Sequence, residues 1–159
     1  MLSLHLTNRF RSIHLHRLLG FGIHLIHLKC IGIDIVCISE FANLVNDSAS
    51  VFVPNHFTDA EVQYSKSAVS QRPEIHLAAR YAAKEALIKA LESMHLFRPP
   101  LITKLQYTEI ELAKDPHGRP YFIFHGEIEM IVKDLNIQAM VSLSHDGDYA
   151  IAQVLLVKK

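Results

Sequence analysis

Apolar and polar positions begin to alternate at "CIGIDIVCI", residues 30–38, with Ile31, Ile33 and Ile35 on one face and Gly32, Asp34 and Val36 on the other. A period of two with β-branched residues predicts a strand. A short helix over residues 40–45 follows, then a polar loop. "FTDAEVQYSK" sets Thr58 three residues before Glu61, the spacing of a capping box, and so opens another helix.

After Pro73 the pattern changes to a long helix over residues 74–93, with "AARYAAKEALIKAL" at its centre. Ala, Leu, Lys and Glu are strong helix formers, Pro73 suits the first turn, and Pro99-Pro100 force a break beyond the end. At 3.6 residues per turn, Leu77, Tyr81, Ile88 and Leu91 form an apolar stripe, with Arg80 and Lys84 inside or beside it. Glu85 and Lys89 share a second ridge, and five alanines (Ala79, Ala82, Ala83, Ala86, Ala90) cover most of the rest. Such a helix has no simple wet face. Its alanines let another backbone approach closely, and its charges point to a packed surface or cleft.

"YTEIELAKDPHGRPYFIF" reads as a hairpin turning at Asp115-Pro116-His117-Gly118, and "GEIEMIVKDL" as an amphipathic helix. "AMVSLSHDGDYAIAQVLLV" is a second hairpin around Asp146-Gly147. The order strand, helices, hairpin, helix, hairpin predicts an α+β fold, with a mainly antiparallel sheet and a long central helix. Residues 29–159 form one domain on this reading.

Composition narrows the function. Lys and Arg balance Asp and Glu, there is no Trp, and no basic run interleaves with aromatics, which argues against nucleic acid. No apolar run reaches the length of a membrane span. Cys30 and Cys37 match neither a zinc pattern nor a disulfide framework, so a reducing cytoplasm is expected. Residues 1–28 stand apart: no acid precedes Asp34, while Arg9, Arg11, Arg17 and five histidines do. Three readings suit this extension: a translated upstream region with the start near Leu28, a targeting segment that would make the location organellar, or an added helix.

Candidate chemistry centres on a few residues. Asp34 interrupts a strand, where Asp is depleted, and either sits on a solvated sheet face or aims at a metal or base site. Glu85 and Lys89 are either an ordinary pair one turn apart or the rim of a cleft. Arg80 and Lys84 are like charges one turn apart, a spacing that suggests an anion between them, or cations that reach out to solvent. Ser144 and His145 end a strand at a tight turn. Adjacent strand residues face opposite ways, so they suit ligand binding, or a structural turn, better than a catalytic dyad. No glycine occurs between Gly32 and Gly118, so any phosphate must be held mainly by side chains. Two carboxylates near Lys and Arg suit Mg²⁺ with substrate phosphates.

Four stretches in this order, "IGIDIV", "HLAARYAAKEALIKAL", "KDPHGRPYF" and "VSLSHDGDYAIAQV", closely resemble the holo-acyl-carrier-protein synthases, the short class of 4′-phosphopantetheinyl transferases. The resemblance spans about residues 29–157. It implies a single half of the transferase fold, a homotrimer with active sites between subunits, and transfer of phosphopantetheine from coenzyme A. The acceptor would be a serine of an apo-acyl carrier protein of fatty-acid or polyketide synthesis, and adenosine 3′,5′-bisphosphate would leave. It further implies Mg²⁺ on Asp34 and Glu85, with Glu85 or a water on the metal taking the serine proton, and Lys89 stabilising the pyrophosphate or leaving group. Arg80, Lys84, Ser144 and His145 would hold coenzyme A, and Gly118, Arg119 and Pro120 would shape its adenine side.

The chain departs from the family pattern at Cys37 and Glu40, where an acid and an arginine are usual, and at "ESMHLF" after the long helix. These departures leave an alternative: a protein of the same fold that binds coenzyme A or a carrier protein without turnover.

Overall fold

The computed structural model describes residues 27–68 and 72–159. Strand β1 (Leu28–Cys37) leads into helices α1 (Ile38–Asn46), α2 (Phe52–His56), α3 (Asp59–Ser67) and the long α4 (Pro73–Ser93). A 3₁₀ turn, Tyr107–Glu109, precedes the hairpin of β2 (Ile110–Lys114) and β3 (Pro120–Phe124), then α5 (Gly126–Asp134), β4 (Ile137–Asp146) and β5 (Tyr149–Lys158). The strands form a three-stranded sheet in the order β1-β5-β4 and a two-stranded sheet β2-β3, with every pairing antiparallel. The predicted α+β class and central helix are therefore present. The three readings of residues 1–28 lie outside the described residues, except that Leu28 already belongs to β1.

Local chemistry accounts for several boundaries. Thr58 Oγ1 accepts from Glu61 N at 3.3 Å while Glu61 Oε2 accepts from Thr58 N at 3.0 Å, so the predicted capping box closes. The last hairpin turns one residue later than predicted. Asp146 still pairs with Tyr149, leaving Gly147-Asp148 as the loop. Gly147 has φ +54°, in the left-handed region that a two-residue hairpin loop with glycine first requires. The predicted polar loop after α1 also contains α2, because Phe52 and Phe57 pack edge-on against Phe41 with ring centroids 5.6 and 6.3 Å apart. Together with Ile38, Leu77 and Ala150 they build a second small core.

Helix α4 is the centre of the main core, and its buried face takes in Leu77 and Leu91 of the predicted stripe but lies mostly on its alanines. Ala82, Ala83, Ala86, Leu87, Ala90 and Leu91 have no exposed surface, whereas Tyr81 and Ile88 are only partly covered. Small side chains let β1 approach the helix axis, and close approach multiplies dispersion contacts. A Cβ on Gly32 would lie 1.9 Å from the Ala86 carbonyl oxygen, so only glycine fits there. This contact turns the Gly32-Asp34-Val36 face of β1 toward the helix. Ile31, Ile33 and Ile35 face the other way and remain 51%, 55% and 60% exposed. Among the described residues no helix is long and apolar enough to cross a membrane.

Candidate active site

The Gly32–Ala86 approach places Asp34 beside the second half of α4. Its side chain is not on a solvated face, as one reading of the strand allowed, but only 15% exposed. Lys89 Nζ donates to Asp34 Oδ1 at 2.6 Å and lies 3.5 Å from the carbonyl of Ile33. The lysine thus pairs across to the strand. Asp34, Glu85, Tyr81, Cys37 and Glu40 line one open cleft of about 550 Å³.

Glu85 has a second neighbour that sequence reasoning did not identify. Tyr107 of the 3₁₀ turn donates its hydroxyl to Glu85 Oε1. The Tyr107 ring stacks on Tyr81, with centroids 5.7 Å apart and planes 18° from parallel, and touches His56 at 4.4 Å. Burial, then the hydrogen bond to Glu85, pushes the Tyr107 phenol above its ordinary range. Burial, then the Glu85 charge, raises Tyr81 as well. Both rings therefore stay protonated near neutral pH.

Lys84 is not at this cleft, nor at any surface. The expectation that it binds a coenzyme A phosphate is corrected by its burial: the side chain has no exposed area. Its Nζ donates to Glu61 Oε2 at 2.7 Å, the His56 carbonyl at 2.6 Å and the Tyr107 carbonyl at 3.0 Å. An ammonium has three N–H donors, so none is left for a ligand. Burial pushes its pKa down, and the Glu61 charge opposes that shift. The anion suggested between Arg80 and Lys84 is thus internal for Lys84: it is Glu61, itself 1% exposed and also accepting from Leu112 N at 3.0 Å.

Arg80 belongs to a different cleft, of about 250 Å³, together with Lys114, Gly118, Pro120, Ser144 and His145. Its guanidinium lies 4.2 Å over the Tyr64 ring, Nη1 donates to the His76 carbonyl at 3.2 Å, and the buried Nε has no hydrogen-bond partner among the described residues. Burial, then the positive charges of Arg80 and Lys114, holds His76 below its ordinary pKa. The pocket is therefore cationic. Five predicted residues meet here, and Lys114 joins them without having been predicted. Arg119 does not line this cleft: its Nε donates to Asp115 Oδ2 at 2.6 Å and its side chain is 75% exposed.

The two clefts share no lining residue, so within one chain Arg80 and Glu85 serve different clefts while Lys84 serves neither. Among the described residues no group of three or more His, Cys, Asp or Glu could hold a metal by itself. The donor set does fit Mg²⁺ in kind, because that ion is often held by one or two carboxylates with the rest of its shell from substrate phosphates and water.

A carboxylate pair lies beside one face of α4 and a cationic pocket beside another, an arrangement whose charges suit a metal-assisted reaction of a phosphate ester. The particular family follows from the chain as a whole. Residues 30–154 match the 4′-phosphopantetheinyl transferase superfamily, and the chain belongs to it. It is 38% identical over 126 residues to a holo-(acyl-carrier-protein) synthase of Nocardia farcinica, covering 79% of this chain and 85% of that one. A synthase of the same name from Mycobacterium leprae is 39% identical over 130 residues, covering 79% and 94%. Among solved structures, the Chronobacterium ammoniagenes ACPS–CoA complex superimposes with TM-score 0.73 at 33% identity, over 82% of this chain and 97% of the other. Mycobacterium tuberculosis acyl carrier protein synthase gives 0.65 at 33% identity, covering 83% and 99%.

Proposed function

We propose that this chain is a Mg²⁺-dependent holo-acyl-carrier-protein synthase, moving 4′-phosphopantetheine from coenzyme A to a serine of an apo-acyl carrier protein. The observation that carries the reading is the meeting of Asp34 and Glu85 in one cleft, with Lys89 bonded to Asp34. Asp34 and Glu85 would hold Mg²⁺, which when bound neutralises pyrophosphate charge. In the transfer, the serine hydroxyl would attack the β-phosphorus, and its proton would pass to Glu85 or to a neighbouring water. The bond to the bridging oxygen breaks, and that oxygen leaves with adenosine 3′,5′-bisphosphate. Phosphoryl transfer needs chiefly positioning and charge neutralisation. Lys89, paired with Asp34 and about half exposed, would turn to the pyrophosphate when the donor binds.

Arg80 and Lys114 would supply the cations of the coenzyme A pocket, His145 a hydrogen-bonding ring, and Gly118, Pro120 and Ser144 its walls. These residues and the carboxylates line separate clefts, which supports a complete site that would draw on two copies of the chain. The uncovered Ile31, Ile33 and Ile35 face supports such an assembly, and a homotrimer is the form we favour. Both cysteines are free, which suits a reducing compartment such as the cytoplasm.

Incubation with apo-acyl carrier protein, coenzyme A and Mg²⁺, followed by mass measurement of the carrier, tests the activity. A phosphopantetheine adduct is expected; its absence across several carrier proteins overturns the reading. Glu85→Gln is expected to abolish transfer while leaving the fold intact. Transfer by that variant at the wild-type rate removes Glu85 from the mechanism.

A further inference from the structure

The contacts of Glu85 carry an inference that rests on the functional reading above and adds a residue to it. Glu85 and Tyr107 lie 22 residues apart on consecutive elements, and their juncture is built from beneath. Lys84, one residue before Glu85, uses its buried ammonium to hold the Tyr107 carbonyl at 3.0 Å and the His56 carbonyl at 2.6 Å. The backbone of the 3₁₀ turn is thereby tied to α4 at the turn of helix that carries Glu85. The Tyr107 ring is then confined between Tyr81 and His56, with centroid distances of 5.7 and 4.4 Å. With its backbone tethered and its ring packed, the phenol reaches Glu85 Oε1 as a preset donor.

We propose that Tyr107 is a positioning residue of this site, holding Glu85 Oε1 so that the carboxylate offers Oε2 to a divalent cation. A glutamate side chain in an open cleft samples several rotamers, and each rotamer other than the competent one weakens a metal site. The hydrogen bond from the packed Tyr107 phenol, with Tyr81 bonded to both Glu85 and Tyr107, restricts that freedom without adding charge. On this proposal Tyr107 acts on the cation through Glu85 and not as a ligand of it. Lys84 acts one step further back, on the place of Tyr107.

The test is Tyr107→Phe, which keeps the ring and removes only the hydroxyl. Mn²⁺ is the probe, its bound fraction read by electron paramagnetic resonance in the full chain with coenzyme A and without carrier protein. A hydrogen bond to a charged group corresponds to roughly a ten-fold effect or more, so Mn²⁺ binding is expected to weaken about ten-fold. The Mg²⁺ concentration for half-maximal transfer is expected to rise by the same factor, with the rate restored at saturating Mg²⁺. Wild-type Mn²⁺ affinity in the variant overturns the proposal, as does an activity loss that persists at saturating Mg²⁺. The Mn²⁺ measurement does not depend on turnover, so it judges Tyr107 even if transfer to carrier proteins fails.

Discussion

Lys84 and Glu61 form an ion pair of 2.7 Å with side chains that are 0% and 1% exposed. The pair ties α3 and α4 to the 3₁₀ turn and β2, because Glu61 also accepts from Leu112 N and Lys84 donates to two carbonyls. Removing one partner leaves an uncompensated buried charge, which costs about 3–5 kcal/mol. Lys84→Met is expected to lower unfolding free energy by that amount in urea titrations. Lys84→Met combined with Glu61→Gln is expected to lose less than the sum of the single variants, since no lone charge remains. Additive losses would show that the pair is not coupled.

Gly32 admits no side chain. Its added Cβ would stand 1.9 Å from backbone, which cannot rotate away as a flexible side chain can. Gly32→Ala must push β1 off α4, at a cost of about 1–3 kcal/mol. The same displacement carries Asp34 away from Lys89 and Glu85, so metal-dependent transfer is expected to fall further than stability does. A variant with wild-type melting and activity would mean that β1 and α4 are less tightly apposed.

Asp148 is the basis of a pH prediction. Its Oδ1 accepts from Ser39 N at 3.0 Å, and its Oδ2 accepts from Ser39 Oγ at 2.5 Å and Cys37 Sγ at 3.3 Å. The Ser39 hydroxyl, then the Cys37 thiol, holds its carboxyl below the ordinary 3.8. A depressed folded-state pKa means that the ionised form stabilises the fold above about 3.8, and that this contribution disappears as pH falls through the lower folded value. Melting of the wild type and Asp148→Asn is expected to differ at pH 6 and to converge in acid. A difference that is constant across that range would refute the linkage.

The outward isoleucines test assembly. Ile33 is 55% exposed at the centre of the uncovered strand face. Ile33→Asp puts a charge where other copies of the chain would bury apolar surface, and charges are costly to bury unpaired. Light scattering is expected to show the wild type as a trimer and the variant as a monomer, with transfer lost. A wild-type monomer that is fully active would exclude sites shared between subunits.

Much of this protein was legible in its sequence because the signals were local. The capping box at Thr58 and Glu61, the proline at the start of α4 and the glycine turns act within a few residues, so order and spacing suffice to find them. Asp34, Glu85 and Lys89 stood out for a similar reason: charges in a strand and on an alanine-clad helix conflict with their surroundings. Tertiary structure decided what no window along the chain contains. Lys84 and Lys89 are both lysines of one helix, yet one is sealed against Glu61 and the other, half exposed, pairs with Asp34. Tyr107 and Lys114 looked like ordinary hairpin residues until the fold carried them to Glu85 and Arg80. The reason is physical: a residue's charge and hydrogen-bonding capacity are set by its type, but whether water, a ligand or another side chain satisfies them depends on which distant groups the packed backbone brings alongside.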